Sequence, residues 1–123
     1  MKRLLVLCLL FAGLAFSQTV TFTIAESGSL SAAVDMKACT IARIIMPAAM
    51  TGVKLTFQHS EDGVAYTDIY DDSTERVINT AASRTIFVSP GDWWMIRFLK
   101  IRSGVSATPT AEAAARSIKV ICR

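Results

Sequence analysis

Chemistry in this chain has few groups to draw on. Its one histidine, His59, sits in the phrase Phe57-Gln58-His59-Ser60-Glu61-Asp62-Gly63. His59, Ser60 and Asp62 are the side-chain types of a nucleophile–base–acid relay. Their spacing works against one, because neighbouring residues on an extended chain point to opposite faces. His59 reads instead as a solvent-facing hairpin residue. Carboxylates gather beside it: Glu61, Asp62, Asp68, Asp71, Asp72 and Glu75, with Arg76 adjoining. Two carboxylates at a set separation can hydrolyse a glycosidic bond, but nothing in this spacing singles out a pair. Hard oxygen ligands in turns also suit Ca²⁺. The spacing is not that of an EF-hand loop, so a solvated acidic edge is the plainer reading. No Cys/His spacing points to zinc, and no glycine-rich phosphate loop is present. These negatives point away from an enzyme and toward a binding or structural module with no cofactor.

The element that must carry these groups is a β-hairpin over residues 53–70. Val53, Leu55 and Phe57 alternate with Lys54, Thr56 and Gln58, the period of a strand with one buried face. Ser60-Glu61-Asp62-Gly63 then breaks the alternation. Ser60 and Asp62 can accept from nearby backbone N–H groups, and Gly63 tolerates the positive φ that closes such a turn. The chain is expected to return through Val64, Tyr66 and Ile69. Two strands hold such a tip still, which makes Ser60, Asp62, Gly63 and Tyr66 candidate binding residues. Good turn chemistry alone also accounts for them. Trp93 and Trp94 complete the candidate set. They follow the turn Ser89-Pro90-Gly91-Asp92 and open the longest expected strand. An outward Trp could stack on a sugar or anchor an interface. The preferred reading buries both, one in the core and one under a loop.

The rest of the chain reads as short strands. Val20, Phe22 and Ile24 alternate with threonines; residues 30–34 form a second strand and 35–37 a turn. Residues 38–46 are a β-branched run with little alternation, as in a central strand buried on both faces. Pro47 stops it. Strands are expected at 76–78, 84–88, 93–102 and 117–122, and residues 111–115 are too short for more than a helical turn. About eight strands at regular spacing predict an all-β fold. The expectation is a jelly-roll-like antiparallel β-sandwich, a single domain over residues 18–123.

Residues 1–17 stand apart. Lys2-Arg3 precede an apolar run from Leu4 to Phe16, and Ala15-Phe16-Ser17 suits cleavage before Gln18. This is the layout of a signal peptide, too short for a stable membrane span; an uncleaved apolar arm is the other reading. Without Lys2 and Arg3 the chain has eleven basic against ten acidic side chains, about +1 overall. A near-neutral body gives no reason to expect nucleic acid as partner. The basic groups concentrate late, from Arg97 to Arg123, opposite in sign to the acidic stretch. Such edges suit packing between copies, or they meet within one monomer and cancel. Cys8 leaves with the leader. Cys39 and Cys122 remain, and a disulfide and two buried thiols are both open.

Two resemblances follow from particular phrases. Ser60-x-Asp62-Gly63-x-x-Tyr66, with Arg97-Phe98-Leu99-Lys100-Ile101 further on, resembles the turn and closing strand of discoidin or galactose-binding-like jelly rolls. Ile45-Met46-Pro47-Ala48-Ala49, Leu55-Thr56-Phe57-Gln58-x-Ser60-x-Asp62-Gly63, Ile69-Tyr70-Asp71, Phe98-Leu99-Lys100-Ile101-Arg102-Ser103-Gly104 and Ala115-Arg116-x-Ile118 resemble small virion proteins of tailed bacteriophages. The second likeness, to the head-decoration, fibre or spike type, implies a non-enzymatic, oligomeric head-surface module. Its partners would be other virion subunits or copies of itself, and its place the virion. The alternative is an exported carbohydrate-binding module, periplasmic or extracellular, with surface glycans as partners.

Overall fold

The computed structural model describes residues 17–123. The leader read at residues 1–17 therefore lies, Ser17 apart, outside the described residues. From Gln18 the threonine alternation forms β1 (Gln18–Ile24), with Val20, Phe22 and Ile24 buried and Thr19, Thr21 and Thr23 exposed.

The longer strands then alternate between two sheets. The first sheet orders β1, β11 (Arg116–Cys122), β3 (Ile41–Ile45) and β9 (Thr85–Phe87) side by side. The second orders β2 (Val34–Cys39), β10 (Ile96–Ser103), β4 (Lys54–Ser60) and β5 (Thr67–Asp68), with β8 (Ile78–Asn79) also pairing to β4. Neighbours in both sheets are antiparallel. A small hairpin, β6 (Tyr70–Asp71) and β7 (Thr74–Glu75), stands outside them. The architecture is an antiparallel, jelly-roll-like β-sandwich.

The core is what the alternation of each strand turns inward. The first sheet supplies Phe22, Ile24, Ile44, Ile118 and Val120; the second supplies Met36, Leu55, Phe57, Leu99 and Ile101. Each such side chain, fully buried, is worth roughly 1.5–3 kcal/mol. Among the described residues no helix is long and apolar enough to cross a membrane.

Four local expectations need correction. The run at 38–46 is not one strand. It breaks at Thr40, which exchanges both backbone hydrogen bonds with Arg123 at 3.1 Å, so Cys39 ends a strand of one sheet and Ile41 begins a strand of the other. The strand and turn expected at 30–37 also shift. Leu30 makes only an isolated bridge to Arg102, and β2 runs through the supposed turn, kinked by positive φ at Lys37 and Ala38. Residues 93–95 are not strand. Pro90–Asp92 is a 3₁₀ turn, Met95 takes φ 55°, and β10 starts at Ile96. The hairpin return begins at Thr67, leaving Val64 83% exposed. Asp62 consumes the amides of Val64 and Ala65, which therefore cannot join a ladder.

Cys39 and Cys122 are joined by a disulfide, with their Cα atoms 5.7 Å apart. The bond ties the end of β2 to the end of β11, and so one sheet to the other.

Candidate functional site

The hairpin tip is a closed set of hydrogen bonds. One carboxylate oxygen of Asp62 accepts from the Ser60 hydroxyl at 2.9 Å and from the amides of Val64 and Ala65 at 2.8 and 3.0 Å. The Ser60 oxygen in turn accepts from the Gly63 amide at 2.9 Å. The Val64 and Ala65 amides, with the Ser60 hydroxyl, hold the Asp62 carboxyl below its ordinary range. Gly63 has φ +76°, a conformation that favours glycine, and it sits over the Phe98 ring. Tyr66 lies under the Lys100 ammonium, 4.0 Å from its ring centre. The Ser60 hydroxyl, one Asp62 oxygen and the Gly63, Val64 and Ala65 amides are thus engaged with the turn itself.

That engagement predicts the behaviour of Asp62→Ala. Amide exchange at Val64 and Ala65 should accelerate, while exchange in the core strands and the melting temperature change little. The depressed carboxyl gives the same effect in the wild type as pH falls through and below the ordinary value of 3.8, because protonation removes the acceptor. Unchanged exchange at both amides in the variant would show that the bonds do not hold the tip.

His59 is half-buried rather than solvent-facing. Its Nε2 accepts from the Arg97 amide at 3.2 Å and lies 3.8 Å from Glu61, so this nitrogen serves the β4–β10 junction. The acidic stretch is also not a bare solvated edge. The β6–β7 hairpin region folds over Arg102, a side chain on β10 whose residue is only 7% exposed. Arg102 donates to Asp68 at 2.7 Å and to Glu75 and Thr56 at 3.3 Å. Glu75 also accepts from the Ser106 amide, and Asp68 from Gln58. Asp71 pairs with Arg76 through both carboxylate oxygens. Hydrogen bonds from Arg76 hold the Asp71 carboxyl low. One late-chain cation, Arg102, therefore meets the mid-chain acids Asp68 and Glu75 inside the monomer.

The tryptophans separate. Trp93 is buried, edge-on to Phe57 at 4.7 Å between ring centres, with the Arg76 guanidinium 5.0 Å over its face. Trp94 is 70% exposed. The expectation that both are buried fails because the chain turns at Trp94 and Met95 before β10 begins, so only Trp93 reaches the core. Ser60 pairs with Phe98 and Cys39 with Ile96, so the tip, the disulfide and Trp94 share one end of the sandwich. The same end carries exposed Phe87 and Met95 and a groove of about 380 Å³ lined in part by Ala42, Arg43, Phe87, Val88 and Ile121. Of the sequence candidates, then, only Trp94 presents a large unengaged surface.

One residue escaped the sequence reading. Glu112 is 1% exposed, in the segment expected to form a helical turn, which is irregular instead. Its carboxylate accepts from the amides of Thr51 and Gly52 at 2.7 and 3.0 Å, the Ser103 hydroxyl at 2.6 Å and Arg116 Nε at 3.0 Å. Its backbone binds Ser27 and Gly28 at 2.8 and 2.9 Å. Burial pushes this carboxyl up, but the donors outweigh it and hold it at about 2. The usable signal was Glu112 as the lone acid in a small-residue loop, four residues before Arg116.

Among the described residues no three His, Cys, Asp or Glu side chains converge as metal ligands. No family model matches the chain and no curated protein matches it, so a functional reading rests on this geometry and on the phrases quoted above.

Proposed function

We propose that the chain is a non-enzymatic structural and binding module of the tailed-phage head-surface type, using the bridged end of its sandwich as a contact surface. The observation that carries this reading is the contrast at that end. Ser60, one Asp62 oxygen and three amides of the tip bond to one another, whereas Trp94, Met95 and Phe87 stand exposed at 70%, 49% and 77%. Large exposed apolar anchors suit a protein surface, whereas a sugar's hydroxyls need hydrogen-bonding partners placed around the stacking face. The disulfide, joining the sheets beside this surface, limits the ordering cost of contact. The phrases that resemble those of virion proteins point to the class of partner: capsid subunits or further copies of the chain.

The second reading, an exported carbohydrate-binding module, draws on Trp94 as a stacking platform near the tip. Trp94→Ala separates the two. The variant is expected to fold normally, because the side chain is exposed, and to lose particle binding or self-association. Loss of one central aromatic anchor commonly costs about 2 kcal/mol or more, some thirtyfold in affinity. Glycan arrays should stay blank for wild type and variant alike. A monomeric wild type binding a defined glycan through Trp94 would replace the first reading with the second.

A further inference from the structure

Among the described residues, β1 closes one side of the first sheet with nothing to blunt it. It is the terminal strand in the order β1-β11-β3-β9, and its seven residues pair with β11 without a register shift. Among the described residues no strand pairs with its other edge. Its sequence, Gln-Thr-Val-Thr-Phe-Thr-Ile, holds no charge, no proline and no glycine. Native sheets guard such edges with lysine, proline, bulges or short length, because an open row of backbone N–H and C=O groups is a template for another strand. This edge has none of those guards. The opposite edge strand, β9, is three residues long.

The strand is also complementary to itself. Antiparallel pairing of two copies about a two-fold axis at Thr21 sets Thr21 opposite Thr21 and Thr19 opposite Thr23. Val20 then faces Phe22, and Gln18 faces Ile24. Exposed threonines thus meet exposed threonines on the outer face; on the inner face buried Val20 meets buried Phe22, and only the end pairs set exposed Gln18 opposite Ile24. Cross-strand threonine pairs are favourable. The nearest charge on that outer face is Lys119, directly opposite Thr21 on β11. Across the join, two copies of Lys119 would lie three strand spacings apart, about 14 Å. That exceeds the screening length of roughly 8 Å at physiological salt.

We infer that β1 is an interface for a second copy of this chain, joining two four-stranded sheets edge to edge into one of eight strands with two-fold symmetry. This deepens the structural reading above and rests on it, while using a surface different from Trp94. The closed two-fold contact makes a dimer, leaving the bridged end of each copy for its other partner.

The test places a charge or a thiol on the axis. Thr21 is exposed and lies outside the core, so Thr21→Lys should fold, with a melting temperature lowered only slightly by the like charge of Lys119 opposite it on β11. It sets like charges directly opposite each other in the dimer. Sedimentation equilibrium should show a wild-type dimer whose mass hardly depends on salt, and a Thr21→Lys monomer. Thr21→Cys, in a Cys8→Ser background so that the introduced thiol is the only free one, should cross-link to itself on mild oxidation, whereas Thr19→Cys alone should not. A wild type that stays monomeric near 100 μM overturns the proposal. So does a Thr21→Cys protein that never cross-links. An oligomer untouched by Thr21→Lys but dissolved by Trp94→Ala overturns it too, while leaving the head-surface reading standing. Particle binding lost in Trp94→Ala with the dimer intact supports both.

Discussion

Removing the Cys39–Cys122 bridge should cost this protein the most. The bond closes a loop with a sequence separation of 83 residues. Constraining the unfolded chain over that length corresponds to roughly 4–5 kcal/mol in the chain-entropy model. Total stability for a domain of this size is about 5–15 kcal/mol, so the loss is a large share of it. The position adds to the effect, since the bond ties the last strand, β11, to the corner at Thr40 where the chain crosses between the sheets, at the end that carries Trp94. Cys39→Ala/Cys122→Ala should therefore unfold at much lower urea, with the largest gain in amide exchange at the ends of β2 and β11. Thiol labelling of unreduced, denatured protein should find no free thiol in a chain starting at Gln18, and one where Cys8 is retained. Two further reactive thiols in most molecules, or a double variant as stable as wild type, would dispose of the bridge as a stabilising element.

Glu112 is expected to come next. Every group around its carboxylate is a donor: two amides, a hydroxyl and a guanidinium. Glu112→Ala leaves the Thr51 and Gly52 amides and Arg116 without their acceptor, and breaking a buried charged cluster at one partner costs about 3–5 kcal/mol. Glu112→Gln keeps the shape but must turn an NH₂ toward a donor, so it too should be clearly destabilised. Gly52→Ala attacks the same site by space, since a Cβ at that position would collide with the Ser103 hydroxyl. The pH dependence has a definite sign. The carboxyl lies at about 2 when folded against 4.5 ordinarily. Its contribution is present in full above 4.5 and is lost as pH falls toward 2, about 3 kcal/mol in all. Urea titrations across that window should show a slope for wild type that Glu112→Gln flattens by one proton. Equal slopes, with a stability loss under about 0.5 kcal/mol, would mean that the carboxylate does not carry the cluster.

The fold class and the tip were legible in the sequence because both depend on neighbours close along the chain. The inward faces of β1 and β11 follow from period-two alternation over seven residues each. The bonds around Asp62 span two or three residues, so turn chemistry alone anticipates them. Other features were decided only by chain segments meeting from far apart. Glu112 draws on Thr51 and Gly52, sixty or so positions away, and reads locally as a helical turn because nothing near it reveals those amides. The acidic stretch reads as solvated until Arg102 arrives beneath it from a different strand. The break at Thr40 depends on Arg123, at the other end of the chain, pairing with it at the corner between sheets. Trp93 and Trp94 are identical in type and adjacent, so composition cannot rank them. A turn completed at Met95 sends one ring against Phe57 and leaves the other in water, because burial is a property of where segments pack and not of which residue is present.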